Sequence, residues 1–310
     1  MDTSQHITTA DGTRIWYGTV GSGPTLVLCD GLACDGFIWP YVIDHFLEDF
    51  QILRWHYRGH GASDVPEDLH TVTLDRFCRD LREVLDHAGV DQAIFAGHSM
   101  GVQVILNFFS LFPRRVRALV PMCGSYKRPL DTFHGSDLLR RALPLMERTL
   151  DAAPDAIQAA WRTLLPRQFW YNFAVQAAEV NGKLLRQKDF LPYLEHAAEM
   201  DLNYFLRLLS DLSQHDMQFI LPRVDVPTLI IAGERDTFTP LFRSVEMAEA
   251  IDNSELIIVP GGTHVAPLEL PDLVTAALDR FFDRHHLRAS TVSEVPPERA
   301  AAPSGSDPPL

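Results

Sequence analysis

The chain has 310 residues, 46% of them hydrophobic, and a formal net charge of −14. That length and apolar fraction suffice for a full core of a soluble globular protein, and the acidic surplus argues against nucleic acid and against insertion into anionic membranes. The opening MDTSQHITTADG has neither a basic segment nor an apolar run, and no stretch reaches a membrane-spanning length, so a cytoplasmic location is the default expectation.

In chain order, the first expected strand is IWYG at Ile15 to Gly18, followed by a Gly21, Ser22, Gly23, Pro24 turn and the apolar strand TLVLC at Thr25 to Cys29. The loop beyond it reads Asp30, Gly31, Leu32, Ala33, Cys34, Asp35, Gly36, in which Gly31 would permit a turn that aims the Leu32 amide inward. Cys34 reads either as a pocket-lining residue or as a small packing residue. The four cysteines (Cys29, Cys34, Cys78, Cys123) lack ligand spacing and disulfide density, so free thiols are expected. Leu74, Phe77, Cys78, Leu81 and Leu85 share one helical face, with Thr73 as its cap, Asp75 in its first turn and Gly89 as its stop.

The most informative run is Gly97, His98, Ser99, Met100, Gly101. It follows AIFA (Ala93 to Ala96), suited to a central strand, and precedes VQVILNFF (Val102 to Phe109), suited to a packed helix. A serine at so abrupt a strand-to-helix turn takes strained dihedrals, its flanking glycines let neighbouring backbone approach, and its hydroxyl is exposed. The pattern alone is common; its context makes it specific. A general base and an orienting acid are also required, in the order Ser, Asp, His. Asp236 follows the strand TLIIA (Thr228 to Ala232), and His264 follows the strand Glu255 to Val259 and its Gly261, Gly262 turn. Strands of an open α/β sheet present ligand-binding groups at their C-terminal ends. Donors for a developing oxyanion would be the backbone N–H groups of Leu32 and Met100.

After the strand VRALVPMCG (Val116 to Gly124), helical stretches rich in large apolar residues run from about Lys127 to Arg223, punctuated by Pro154, Pro166 and Pro192. Trp161, Phe169, Trp170, Phe173 and Phe205 are, with Cys34, the candidates for a substrate pocket. His56, His60 and His98 supply no metal-ligand spacing, and RGHGAS lacks the frame of a nucleotide cradle, so neither metal nor cofactor is expected. His98 reads as a packed or hydrogen-bonded neighbour of the serine. Past His286 the chain has too few apolar groups to order itself.

These motifs resemble the α/β-hydrolase fold superfamily, in its branch of serine hydrolases with a helical cap, from about Ile7 to about His286. The opening strands and RWHYRGHGASD (Arg54 to Asp64) are similar to the family's early strands and glycine-rich loop. The resemblance implies a mostly parallel sheet flanked by helices, with a cap inserted after the sixth strand. The corresponding divisions are a first core part at 1–126, the cap at 127–223, a second core part at 224–287 and a disordered tail at 288–310. It assigns nucleophile, acid and base to Ser99, Asp236 and His264, and oxyanion donors to Leu32 and Met100. Two positions depart from the family. Asp30 stands where many relatives have histidine, and Val102 where a further glycine is common.

The expected reaction is hydrolysis of a carboxylic ester of a small to medium hydrophobic substrate, with water, through an acyl-enzyme. Carbon–carbon cleavage of a β-diketone, lactone or thioester hydrolysis and haloperoxidase-like perhydrolysis would use the same residues. An aminopeptidase would want acidic groups for a free amine, for which Glu195, Glu199 and Asp201 are candidates. A non-catalytic small-ligand receptor is the reading from a different class. Serine at the elbow disfavours the branches that attack with aspartate. Oligomeric state and acyl length depend on side-chain directions that no pattern in the sequence sets.

Overall fold

A computed structural model describes residues 3–164, 172, 175 and 180–289. Eight strands form one sheet in the order β1-β2-β4-β3-β5-β6-β7-β8, where β1 is Thr3–Thr8, β2 Arg14–Val20, β3 Thr25–Cys29, β4 Gln51–Trp55, β5 Ala93–His98, β6 Val116–Met122, β7 Thr228–Gly233 and β8 Ser254–Val259. β1, β2 and β4 pair antiparallel, and every pairing from β4 through β3 to β8 is parallel. The parallel strands are apolar because helices cover both faces. Alternate residues divide between two cores: Val27, Cys29 and Phe95 face one, Leu26, Leu28 and Ile94 the other.

The helices α1 (Pro40–Phe46), α2 (Leu74–His87) and α3 (Met100–Leu111) lie between the early strands. Thr73 caps α2 by accepting the Arg76 N–H, and Gly89, at φ 69°, leads the chain out of it. Between β6 and β7 the described chain holds the helices α4 (Leu138–Ala152), α5 (Pro154–Leu164), α6 (Gln187–Glu199) and α7 (Leu202–Gln214), with the Lys127–Asp216 bridge as the extended pairing among its described residues. Pro154 opens α5 as expected, but Pro192 lies inside α6 rather than between helices, and Pro144 is accommodated inside α4. Pro166 is outside the described residues. After β7 come α8 (Leu241–Ala250), the single turn α9 (Ala266–Glu269) and α10 (Pro271–Arg284).

Two boundaries differ from expectation. β1 is a strand although its residues are mostly exposed and polar; its backbone pairing with β2, register Thr3 with Thr19, supplies what an apolar pattern did not. The ordered core also extends past residue 287: Leu287 is buried and Arg288 ion-pairs with Asp49, Asp279 and Asp283, so the first residue assigned to the tail belongs to the fold. Residues 290–310 lie outside the described part. Among the described residues no helix is long and apolar enough to cross a membrane.

Candidate active site

The elbow is built from steric exclusion. Ser99 sits at φ 55°, ψ −116°, between the end of β5 and the start of α3, a backbone region costly for a residue with a Cβ. Glycine is required on both sides: a Cβ on Gly97 would lie 2.3 Å from the Gly101 carbonyl oxygen, and one on Gly101 would lie 2.2 Å from that of Cys29. Val102 finds its space through a compensating glycine, since its Cγ2 lies 2.2 Å from where a Gly124 Cβ would stand. Gly31 serves by closeness, a Cβ there falling 3.1 Å from the Ser99 Cβ; the positive-φ residues of that loop are Ala33, at φ 58°, and Gly36, at φ 103°.

Three strand ends bring together the residues singled out from the sequence. Ser99 Oγ lies 2.9 Å from His264 Nε2, and His264 Nδ1 lies 2.9 Å from Asp236 Oδ2. The tautomer that satisfies both contacts has Ser99 donating to Nε2 and Nδ1–H donating to Asp236. Asp236 is buried; its Oδ1 accepts the N–H groups of Phe238 and Thr239 at 2.8 and 2.9 Å, and its Oδ2 accepts the Thr239 hydroxyl at 2.8 Å. Burial pushes the Asp236 carboxyl up, but the facing His264 and the Thr239 donors outweigh it and hold the group below the ordinary carboxylate range. Phe238 packs on the His264 ring with centroids 4.8 Å apart.

Leu32 and Met100 flank Ser99 on the wall of a cavity of about 450 Å³. Met100 is the first residue of α3, so its N–H has no acceptor within the helix. Cys34, Trp161 and Phe205 also line this cavity, alongside Phe37, Phe190 and Leu209. Phe169, Trp170 and Phe173 lie outside the described residues. Trp161 is held by its indole N–H, which donates to the Ala197 carbonyl at 2.8 Å. Glu195, Glu199 and Asp201 are exposed and line none of the cavity; Asp201 caps α7 instead.

Several positioning residues surround the relay, and of these His98 alone is expected from the sequence, as a packed or hydrogen-bonded neighbour of the serine. Glu269, buried at the end of α9, accepts the Thr263 N–H, the Thr263 hydroxyl and the Asn181 N–H, each at 2.7 Å, and so braces the turn that carries His264. Burial pushes its carboxyl up. His98 Nε2 lies 2.8 Å from the His264 carbonyl oxygen, and burial drives this imidazole down to about 3, so it is neutral and donates there. His60, pushed down to about 3 by burial, offers Nε2 to the Ala33 N–H at 3.3 Å and thereby ties the glycine-rich loop after β4 to the loop bearing Leu32. Arg58 anchors that loop through a bidentate pair with buried Asp80, at 2.7 and 2.8 Å.

The Asp30 departure is resolved locally. Its carboxylate accepts the Trp39 indole N–H at 2.7 Å, its carbonyl oxygen accepts the Tyr57 hydroxyl at 2.8 Å, and burial pushes its carboxyl up to about 7. Its side chain therefore braces the loop from behind. All four cysteines are buried. Among the described residues no group of three or more His, Cys, Asp or Glu is placed to hold a metal ion.

The family model of the alpha/beta hydrolase fold matches residues 24–271. The chain belongs to that family. Among relatives, the mouse (Mus musculus) bifunctional epoxide hydrolase 2 is 30% identical over 125 residues, which are 40% of this chain and 23% of that protein, so the chain spans less than a quarter of that relative. The 3-oxoadipate enol-lactonase 2 of Acinetobacter baylyi is 24% identical over 278 residues, covering 89% of this chain and 96% of the relative. Among solved structures, a hydrolase from Pseudomonas aeruginosa PA01 superposes with a TM-score of 0.72 at 23% identity, covering 90% of this chain and 98% of that one. The chain thus shares its fold with that structure over 90% of its length.

Proposed function

We propose that the protein is a serine hydrolase that cleaves a carboxylic ester of a small to medium hydrophobic substrate through an acyl-enzyme. The observation that carries this reading is the unbroken relay from Ser99 Oγ through His264 to Asp236, opening on an apolar cavity. Ser99 Oγ attacks the carbonyl carbon as its proton passes to His264 Nε2, and Asp236 stabilises the imidazolium through Nδ1–H. The Leu32 and Met100 N–H groups receive the oxyanion. Collapse of the tetrahedral adduct breaks the bond to the leaving oxygen, which takes the proton from His264. Water, deprotonated by the same imidazole, then attacks the acyl-serine and restores Ser99. The helices between β6 and β7, over 127–223, act as a cap that supplies Trp161 and Phe205 to the substrate and shields the acyl-enzyme.

The relatives' names bear on which bond is broken. A lactone is a cyclic ester, so the lactonase named above uses a carbonyl that the same relay can attack. Epoxide opening by a serine would leave an ether, which water does not release by acyl chemistry; the hydroxyl at position 99 therefore favours carbonyl substrates.

The test is hydrolysis of p-nitrophenyl esters from acetate to long chains by the native protein and by Ser99→Ala. Turnover that peaks at a medium length and falls by about 10³-fold or more in the variant is the expected result. Turnover equal in both proteins overturns the role of Ser99 as nucleophile, and turnover absent from both with these esters and with lactones overturns the proposal and leaves a small-ligand receptor.

A further inference from the structure

One polar group on the cavity wall has no role in the relay. Gln103 lies on α3 four residues past Ser99, a turn further into the helix, and is 1% exposed. It lines the cavity together with Leu130, Leu139, Leu209 and Leu212. Its Nε2 donates to the His215 carbonyl at 3.3 Å, and this contact orients the amide, because a carbonyl can only accept. Oε1 is left buried and without a hydrogen-bond partner among the described residues.

Two hydroxyls on the same wall are already spent. Ser125 Oγ donates to the Lys127 carbonyl at 2.6 Å and accepts the Lys127 N–H at 3.1 Å; the Thr239 hydroxyl donates to Asp236. A buried, unpaired amide oxygen carries its full desolvation penalty until a donor, displacing the groups that cover it, reaches it. A pocket built this way rejects an analogue that lacks the donor more strongly than a purely apolar pocket distinguishes a methylene.

We propose that Gln103 is a specificity-determining residue whose Oε1 accepts a hydrogen bond from a hydroxyl or N–H on an otherwise apolar substrate, roughly one helical turn, about 5–6 Å, from the carbonyl that Ser99 attacks. The substrate class is therefore a medium-length acyl compound with one internal donor. A carboxylate or carbonyl at that point would set acceptor against acceptor. The inference deepens the acyl-transfer reading and rests on it for the place of the carbonyl.

Binding to Ser99→Ala protein separates the two. The ligands are methyl hexanoate and its 3-, 5- and 6-hydroxy derivatives, with hexyl acetate and 6-acetoxyhexan-1-ol as the arm that puts the hydroxyl on the alcohol side. At least one hydroxylated member should bind about 10-fold or more tightly than its parent. In a protein that also carries Gln103→Met, similar in length and lacking the strong acceptor, that preference should fall below about twofold. A preference below about twofold at every position in the single variant overturns the inference, whether or not Q103M folds; so does a preference that survives Q103M, or no binding at millimolar ligand. Hydrolysis of the same esters by the native protein is measured in parallel. If it is absent while the Gln103-dependent preference persists, the acyl-transfer reading falls and the donor site stands.

Discussion

Glu269 offers the sharpest test of how the site is held together, because it touches neither Ser99 nor the His264 ring. Its two carboxylate oxygens accept three donors at 2.7 Å, two from Thr263, immediately before His264, and one from Asn181. In Glu269→Gln one oxygen survives and can keep two of these bonds, while the new NH₂ group faces the third donor. One charge-assisted hydrogen bond, typically about 1.5–3 kcal/mol, is lost, and a buried donor is left unpaired at about 1–3 kcal/mol. Relaxation of the turn recovers part of that, so a stability loss of about 2–4 kcal/mol is expected by urea denaturation. The turn then shifts His264 against Ser99. Since a displacement of ~1 Å can cost about 10²-fold in rate, kcat for ester hydrolysis should fall about 10- to 100-fold, more than KM changes. A stability change under about 0.5 kcal/mol with kcat within twofold of native would refute the bracing argument.

Further outcomes follow from the same contacts. Asp236→Asn keeps the shape but cannot stabilise the imidazolium, so kcat should drop about 10³- to 10⁴-fold in steady-state assays; a loss under tenfold would remove Asp236 from the proposed mechanism. Gly124→Ala forces a Cβ to within 2.2 Å of Val102 Cγ2 and should cost about 1–3 kcal/mol in denaturation experiments. Adding Val102→Gly should return part of that loss, and strict additivity of the two changes would mean that the two side chains do not compete. Asp30 ionises near 3.8 in an unfolded chain but at about 7 in the fold. The stability its protonated form contributes is full below pH ~4 and is lost as pH rises towards 7. Asp30→Asn should thus gain on the native protein across that window, up to a ceiling of roughly 4 kcal/mol. A stability gap equal at pH 4.5 and pH 8 would contradict this.

What the sequence determined by itself was whatever depends on neighbours along the chain. The apolar run into Ser99, the flanking Gly97 and Gly101, the Thr73 cap and the strands leading to Asp236 and His264 were legible because strand period, helix period and turn sterics act within a few residues. The same reasoning missed β1, whose exposed polar residues carry no period and are ordered by pairing with β2. It gave Cys34, Trp161 and Phe205 as candidates without deciding their directions, which depend on how α5 and α7 pack above the sheet. Tertiary structure alone decided that Glu269 braces the turn before His264, that His60 holds the Ala33 amide, that Val102 fills the space left by Gly124, and that the Gln103 oxygen goes unpaired. Thr263 is only six residues from Glu269, but Asn181 is 88 away from it, and Ala33 with His60 and Val102 with Gly124 likewise meet from distant parts of the chain. Steric contact and hydrogen bonding act over about 3–4 Å, and only the order of strands in the sheet brings such groups within that reach.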